Sequence, residues 1–237
     1  MKSSYLIYFV LIVLLFISCK DEQEQLKVIY SDSKKVTESK IDTTSIKIAD
    51  LPIFIEGTSY LLHPIGDVRV YGGSRSYGSG SSSISFSISN YSRFELTGYL
   101  ENVRFQHKDS TSFYSLTENR IQIQTVTYPQ SFSESSKKQI LVYTLTDEDT
   151  NRDGKIDSKD IKSLYVSQIN GSEFTKLSPD FQEVIDWNII VAQGKLYFRT
   201  IEDINKNGAF DKNDTVHYYF VNLLDKEWVA MEYNPIP

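Results

Sequence analysis

Two acidic stretches of the chain place oxygen-bearing side chains at the same spacing. Residues 149–160 read DTNRDGKIDSKD and residues 203–214 read DINKNGAFDKND, so both fit D-x-N-x-[DN]-G-x-[IF]-D-x-x-D without a gap. Carboxylate or amide oxygens stand at positions 1, 3, 5, 9 and 12 of each stretch, and the glycine at position 6 permits a sharp turn. Such a loop can wrap its oxygens around a hard divalent cation.

The oxygen spacing suits calcium, which takes six to eight oxygen ligands at 2.3 to 2.6 Å. Position 7 of such a loop contributes its backbone carbonyl, so the side chain there does not matter. The candidate ligands are Asp149, Asn151, Asp153, the Lys155 carbonyl, Asp157 and Asp160 in the first loop, and Asp203, Asn205, Asn207, the Ala209 carbonyl, Asp211 and Asp214 in the second. The sequence therefore predicts two calcium sites, with plain acidic hairpin turns as the alternative interpretation.

The segments that flank both loops have the composition of strands. The first loop lies between QILVYTLT and SLYVSQI, and the second between LYFRTIE and VHYYFVN. The loops resemble those of EF-hands, and their closing aspartate resembles dockerin repeats, but both of those families flank the loop with helices. Without helices to reorient, calcium is expected to rigidify the loop rather than to open a groove. Ile156 and Phe210, at position 8, are expected to point into the core.

From Leu51 onward the sequence indicates an all-β domain, residues 51–237. Aromatic and β-branched residues recur in short runs separated by Gly, Asn, Asp, Ser and Pro, and no helical period exceeds two turns. The predicted strands lie within residues 58–66, 83–89, 101–108, 119–128, 138–146, 163–170, 183–192, 195–201, 216–224 and 228–234.

Residues 141–180 are similar to a TolB-type β-propeller blade that carries a calcium loop between two strands. The likeness rests on the strand SLYVSQI, the turn Asn170-Gly171-Ser172 and the closing KLSPD at residues 176–180. A second unit runs from about residue 186 to 234, and a weaker one covers residues 101–123. The resemblance implies about three antiparallel, propeller-like blades. Closed propellers have four or more blades, so the arrangement is either atypical and open or completed by the N-terminal strands.

The N-terminus has the features of a lipoprotein leader. Tyr5–Ile17 is an unbroken run of 13 apolar residues, which is the length of a signal-peptide core and too short for a membrane span. LFISC, ending at the single cysteine Cys19, resembles a bacterial lipobox, and Lys20-Asp21-Glu22 resembles the export signal of Bacteroidetes surface lipoproteins. The resemblance implies a signal peptide over residues 1–18 and a lipid on Cys19. It also implies an outer-membrane location facing the cell surface.

An ordinary secretory signal with an incidental cysteine is the alternative interpretation of this leader. After the cysteine, residues 19–50 are rich in charge, Ser and Thr and poor in large apolar side chains. Such a composition cannot offset the entropy cost of ordering, so a flexible tether between lipid and domain is expected.

The remaining composition favours a binding protein over an enzyme. His63, His107 and His217 are widely spaced, no nucleophile stands beside them, and the net charge of −6 without a basic patch argues against nucleic acid. The sequence predicts a non-catalytic, calcium-binding, lipid-anchored module for an unknown envelope protein or glycan. The alternative is a glycan-active hydrolase with an unrecognised active site. A deep pocket with two unpaired carboxylates would favour the hydrolase, and an aromatic-lined face would favour the binding module.

Overall fold

The computed structural model describes residues 26–30, 46–71 and 83–237. In these ranges the chain forms short strands, a 3-10 turn (Val191–Gln193) and one α-helix, α1 (Gln130–Ser136). The strands are β1 (Lys47–Ala49), β2 (Ile53–Phe54), β3 (Tyr60–Asp67), β4 (Arg69–Tyr71), β5 (Ser83–Ser85), β6 (Ser89–Ser92), β7 (Glu95–Leu100), β8 (Asn102–His107), β9 (Phe113–Ser115), β10 (Gln122–Thr127), β11 (Ile140–Thr146), β12 (Ser163–Gln168), β13 (Thr175–Lys176), β14 (Gln182–Ile190), β15 (Lys195–Glu202), β16 (Thr215–Asn222) and β17 (Met231–Glu232).

The strands form three antiparallel sheets. The first has the order β1-β3-β8-β9, with β2 also paired to β3; the second has the order β13-β12-β11-β10-β7-β6; and the third is β14-β15-β16-β17. A separate pair joins β4 and β5, and none of the sheets closes into a barrel. The all-β prediction is confirmed.

The second sheet is the middle layer of a stack of three. Side chains alternate between the two faces of a strand, and β11 is buried on both faces. Its Leu141 and Tyr143 belong to one cluster of buried apolar side chains, whereas Ile140 and Val142 belong to another. The outer sheets contribute Leu62 and Phe105 to the first cluster and Phe198 and Val221 to the second. Each fully buried side chain of this kind contributes about 1.5 to 3 kcal/mol.

Two of the sheets contain the same run of four consecutive strands. β10 to β13 pair in chain order, and so do β14 to β17. The acidic loop lies between the second and third strand of each run, so residues 149–160 link β11 to β12 and residues 203–214 link β15 to β16. The prediction that each loop joins neighbouring antiparallel strands is confirmed.

Two expectations about the strands are wrong. The unit expected over residues 101–123 is divided, because β8 and β9 lie in the first sheet whereas β10 pairs with β7 and β11 in the second. The strand expected over residues 83–89 is interrupted between β5 and β6. The carboxylate of Asp50 accepts hydrogen bonds from Ile88 N (3.2 Å) and Ser89 N (2.9 Å) at the interruption.

The stretch expected to be a tether, residues 19–50, includes two segments that contact the domain. β1 begins at Lys47, before the expected domain boundary at 51, because Ile48 packs against the first cluster while the strand pairs with β3. The other segment is residues 26–30, whose contacts are given below. The expected signal peptide, residues 1–18, and Cys19 lie outside the described residues. No helix in the described ranges is long and apolar enough to cross a membrane.

Candidate metal centres in two acidic loops

In the first loop, the side chains at positions 1 and 3 accept hydrogen bonds from backbone N–H groups later in the loop. Asp149 accepts hydrogen bonds from Asp153 N at Oδ1 (3.0 Å) and from Gly154 N at Oδ2 (2.8 Å). Asn151 Oδ1 also accepts from Asp153 N (2.9 Å). These bonds bring positions 1, 3 and 5 together in one tight turn, which is the arrangement that a wrapped cation needs.

Asp160 closes the first loop from its far end. Its Oδ1 accepts from Asn151 N (3.1 Å) and its Oδ2 from Asp157 N (3.0 Å). The residue is 1% exposed. Burial raises the pKa of the Asp160 carboxyl, although the two backbone N–H groups act in the opposite direction. A charged carboxylate in this position gains from a nearby cation.

The second loop repeats this pattern except at one bond, because Asp214 Oδ1 is contacted by the Asn205 side-chain amide (3.5 Å) where Asp160 Oδ1 accepts from a backbone N–H. Asp203 accepts from Asn207 N at Oδ1 (3.2 Å) and from Gly208 N at Oδ2 (2.6 Å), and Asn205 Oδ1 accepts from Asn207 N (2.9 Å). Asp214 Oδ2 accepts from Asp211 N (2.8 Å), as Asp160 does from Asp157. Here the buried carboxylate is that of Asp203, which is 3% exposed.

The backbones of the two loops also agree in their left-handed residues. Position 4 has φ of 58° in both Arg152 and Lys206, and position 6 has φ of 87° in Gly154 and 86° in Gly208. A left-handed conformation costs a residue with a side chain about 1 to 2 kcal/mol. Both loops adopt it at a basic residue, so the shared shape does not follow from local preference alone.

Of the remaining predicted ligands, those at position 9 are placed alike in the two loops, whereas those at position 7 differ in burial. Asp157 and Asp211, at position 9, each accept a hydrogen bond from the residue two places further on, Lys159 N (2.8 Å) and Asn213 N (2.7 Å). Lys155 is exposed and Ala209 is buried. Across the described ranges no group of three or more His, Cys, Asp or Glu side chains is positioned to hold a metal ion; the predicted ligand sets also use amide and carbonyl oxygens.

Ile156 and Phe210 do not fill the place expected for them. Both are half-buried, and neither belongs to the two apolar clusters. The loops are instead contacted by the N-terminal segment, residues 26–30, in which Val28 is 2% exposed. This docking was not predicted from the sequence. The signal for it is the apolar run LKVIY inside a polar stretch.

Asp147, two residues before the first loop, is hydrogen-bonded to the strands at the base of the loop, meaning the end of the loop where it joins the sheet. Its carboxylate accepts hydrogen bonds from Ser163 Oγ (2.8 Å), Tyr165 OH (2.8 Å) and Lys176 Nζ (2.7 Å). Burial, and then the charge of Asp147, raise the pKa of Tyr165. Lys176 belongs to the closing motif predicted at residues 176–180, whereas Asp147 was not predicted as a functional residue.

At the base of the second loop a histidine lies between two carboxylates. His217 Nε2 is 2.9 Å from Glu202 Oε2, and His217 Nδ1 is 2.8 Å from Glu232 Oε1. All three side chains lie on neighbouring strands, β15, β16 and β17. Each ring nitrogen of His217 therefore has a carboxylate partner.

The outward side of the third sheet carries an aromatic face formed by Tyr197, Tyr218, Phe220 and Tyr233. The Tyr233 ring lies 5.6, 6.1 and 6.0 Å from the rings of Tyr197, Tyr218 and Phe220. Lys195 Nζ stands 4.2 Å from the centre of the Phe220 ring. Both tryptophans face inward, since Trp228 belongs to the second cluster and Trp187 packs against it.

Two cavities lie elsewhere on the described part of the chain. The larger, of about 490 Å³, is lined by a single carboxylate, Glu183, which accepts from Lys27 Nζ (2.7 Å) and Lys162 N (2.7 Å). The smaller, of about 240 Å³, carries Glu56 and Glu134, both exposed to solvent. Neither cavity encloses a buried pair of carboxylates of the kind that hydrolyses glycosides.

Comparison with protein-family models, curated proteins and solved structures found no match to the chain.

Proposed function

We propose that the protein is a calcium-binding, non-catalytic lipoprotein of the cell envelope, with one calcium ion in each acidic loop. The observation that carries the proposal is the repetition of one loop geometry. Two segments 54 residues apart share six side-chain-to-backbone bonds and the same left-handed positions. A plain hairpin turn requires neither a 12-residue length nor an oxygen at every ligand position.

Burial of acidic side chains supports the same proposal. Asp160 and Asp203 are almost fully buried, and the hydrogen bonds that they accept come from uncharged donors. Four carboxylates in the first loop and three in the second repel one another at short range. A calcium ion would offset this repulsion and supply the missing positive charge.

Thermal unfolding of the mature chain in calcium and in chelator tests this function. At a calcium concentration one hundred times the dissociation constant, each site adds about 2.7 kcal/mol. In a domain of this size that raises Tm by about 5 to 10 °C per site. A Tm that does not respond to calcium would contradict the proposal.

The anchor and its side of the membrane are tested separately. Cys19→Ala is expected to release the protein from the membrane fraction, because the lipid would be the attachment. Replacing Lys20, Asp21 and Glu22 by alanine is expected to keep the protein membrane-bound but hide it from protease added to whole cells. A Cys19→Ala protein that stays in the membrane fraction would refute the anchor, and unchanged protease access would refute the surface location.

For the fold, we propose an open, propeller-like arrangement of three blades. Two features support it: the sheets pack face to face, and two of them contain the same four-strand run with the loop in the same connection. An experimental structure in which the three sheets do not radiate from a common axis would refute it.

The aromatic face supports a binding role and is proposed as the partner surface. The half-buried rings beside Lys195 offer apolar area together with polar groups at the edge, as carbohydrate and protein partners require. We expect envelope glycan to be bound, measured as retarded migration in gels that contain the polysaccharide. Tyr218→Ala and Phe220→Ala should abolish the retardation, and retardation that both variants retain would refute this surface.

A further inference from the structure

The N-terminal segment is hydrogen-bonded to both acidic loops. Lys27 N and Val28 N donate to Gly208 O (2.7 and 3.2 Å), which is position 6 of the second loop. Ile29 N donates to Thr150 O (3.0 Å), and Thr150 Oγ1 donates to Lys27 O (2.7 Å), at position 2 of the first loop. The five-residue segment within the expected tether thus joins two loops that belong to different sheets.

Side chains extend this contact beyond the backbone. Val28 is 2% exposed, and Lys27 Nζ forms an ion pair with Glu183 (2.7 Å). The ring of Tyr30 lies 6.4 Å from that of Phe181. Burial and the adjacent Asp203 carboxylate raise the pKa of Tyr30 to about 12. The segment is therefore packed as well as hydrogen-bonded. Its Tyr30 lies beside Asp203, which is one of the predicted calcium ligands.

The oxygens that accept hydrogen bonds from the segment are held in position by the turn conformation of the two loops. Gly208 O is directed to the segment by a left-handed residue, φ 86°, and a Cβ at this position would lie 2.5 Å from Val28 O. Thr150 is held by its neighbours, since its hydroxyl also lies 3.3 Å from Asp160 Oδ1 and accepts from Ile161 N (3.0 Å). Loops opened by repulsion between their carboxylates would lose these positions.

We propose that calcium in the two loops fastens the N-terminal segment to the domain, and that the segment couples the two loops to each other. This inference rests on the proposed calcium function. Linkage is reciprocal, so the ions favour docking by the same factor by which docking favours the ions. Occupancy of one loop then raises the affinity of the other through the segment they share.

Docking also sets how far the domain can stand from a lipid on Cys19. Leu26 lies seven positions after Cys19, and Ile46, where the next described range begins, lies 27 positions after it. An extended chain spans at most about 3.5 Å per residue, so the docked domain lies within about 25 Å of the lipid, whereas release extends this reach to about 95 Å. Calcium thus shortens the maximum distance between the lipid and the domain.

Amide hydrogen exchange of the full mature chain in detergent, with bound calcium counted in the same sample, tests the coupling. Exchange at Lys27, Val28 and Ile29 is expected to be at least about tenfold faster in chelator than in calcium. If these amides exchange at the same rate in calcium and in chelator, although the sample with calcium has bound the ion, the coupling is overturned and the calcium function stays intact. A chain that binds no calcium would instead overturn the calcium function, and this inference with it.

A matched pair of variants measures the other direction of the linkage. Val28→Asp removes a buried apolar side chain from the contact, whereas Val229→Asp alters a residue that is 62% exposed. We expect Val28→Asp to weaken calcium binding about fivefold or more and Val229→Asp to leave it unchanged. Equal affinities in the two variants would overturn the coupling.

Discussion

The acidic loops at 149–160 and 203–214 have the same backbone but different charge. Position 5 is Asp153 in the first loop and Asn207 in the second, yet the N–H of each donates to the aspartate at position 1, at 3.0 and 3.2 Å. The carboxylate at position 5 is therefore not needed to shape the turn. The side-chain oxygen at position 5 accepts from the N–H of position 7 in both loops, at 2.9 and 2.8 Å, so an amide serves the turn as well as a carboxylate and the charge at position 5 can vary.

The two loops also differ in how their bases are held. Asp147, at the base of the first, pairs with Lys176, and both side chains are largely buried, at 14% and 23% exposed. At the base of the second, Glu202 pairs with His217, and the glutamate side chain is 44% exposed. The first loop thus combines more carboxylates with a more deeply buried support. We expect it to be the tighter calcium site and the one on which the fold depends more.

The largest expected difference between the loops is in how much each contributes to the stabilisation of the domain by calcium. Asp149→Ala should remove most of the calcium-induced rise in Tm and Asp203→Ala less of it, because affinity in such loops rises with ligand charge. Asp109→Ala is the control, since its side chain is 73% exposed and lies near His107 rather than in a loop. The reverse order would refute the charge argument while leaving both sites standing.

A smaller difference is expected at the bases of the loops. Asp147→Ala should lower the free energy of unfolding by about 2 to 3 kcal/mol, because Ser163 and Tyr165 lose their shared acceptor and the Lys176 ammonium keeps only the exposed Asp180 carboxylate. Glu202→Ala should cost less than about 1 kcal/mol, because the glutamate side chain is 44% exposed and water can replace its contact with His217. Urea unfolding in chelator measures both without a contribution from calcium. Equal losses would show that the two supports are equivalent.

The smallest change is an exchange of charge at position 5. Asn207→Asp should tighten the second site and Asp153→Asn should weaken the first, each by about tenfold, equivalent to about 1.4 kcal/mol. Calcium titration by calorimetry would resolve the two sites. If neither substitution changes its dissociation constant, the side chain at position 5 does not contact the ion.

The sequence predicted what depends on local spacing. The loops, their flanking strands and the other strands of the two four-strand runs except β13 follow from residue order, because sequential antiparallel strands pair with their neighbours. Features that depend on distant residues were missed. The interruption before Ser89 requires Asp50, and the division of the unit at 101–123 requires β10 to pair with β7. Docking of Val28 was missed because LKVIY is flanked by charged residues that indicate disorder.

Counting bound calcium by equilibrium dialysis tests the central claim most directly. The unaltered mature chain should bind two ions, the single variants Asp149→Ala and Asp203→Ala one each at moderate calcium, and the double variant none. This result would assign one ion to each loop. No bound calcium in the unaltered chain, or two ions still bound by the double variant, would contradict the account.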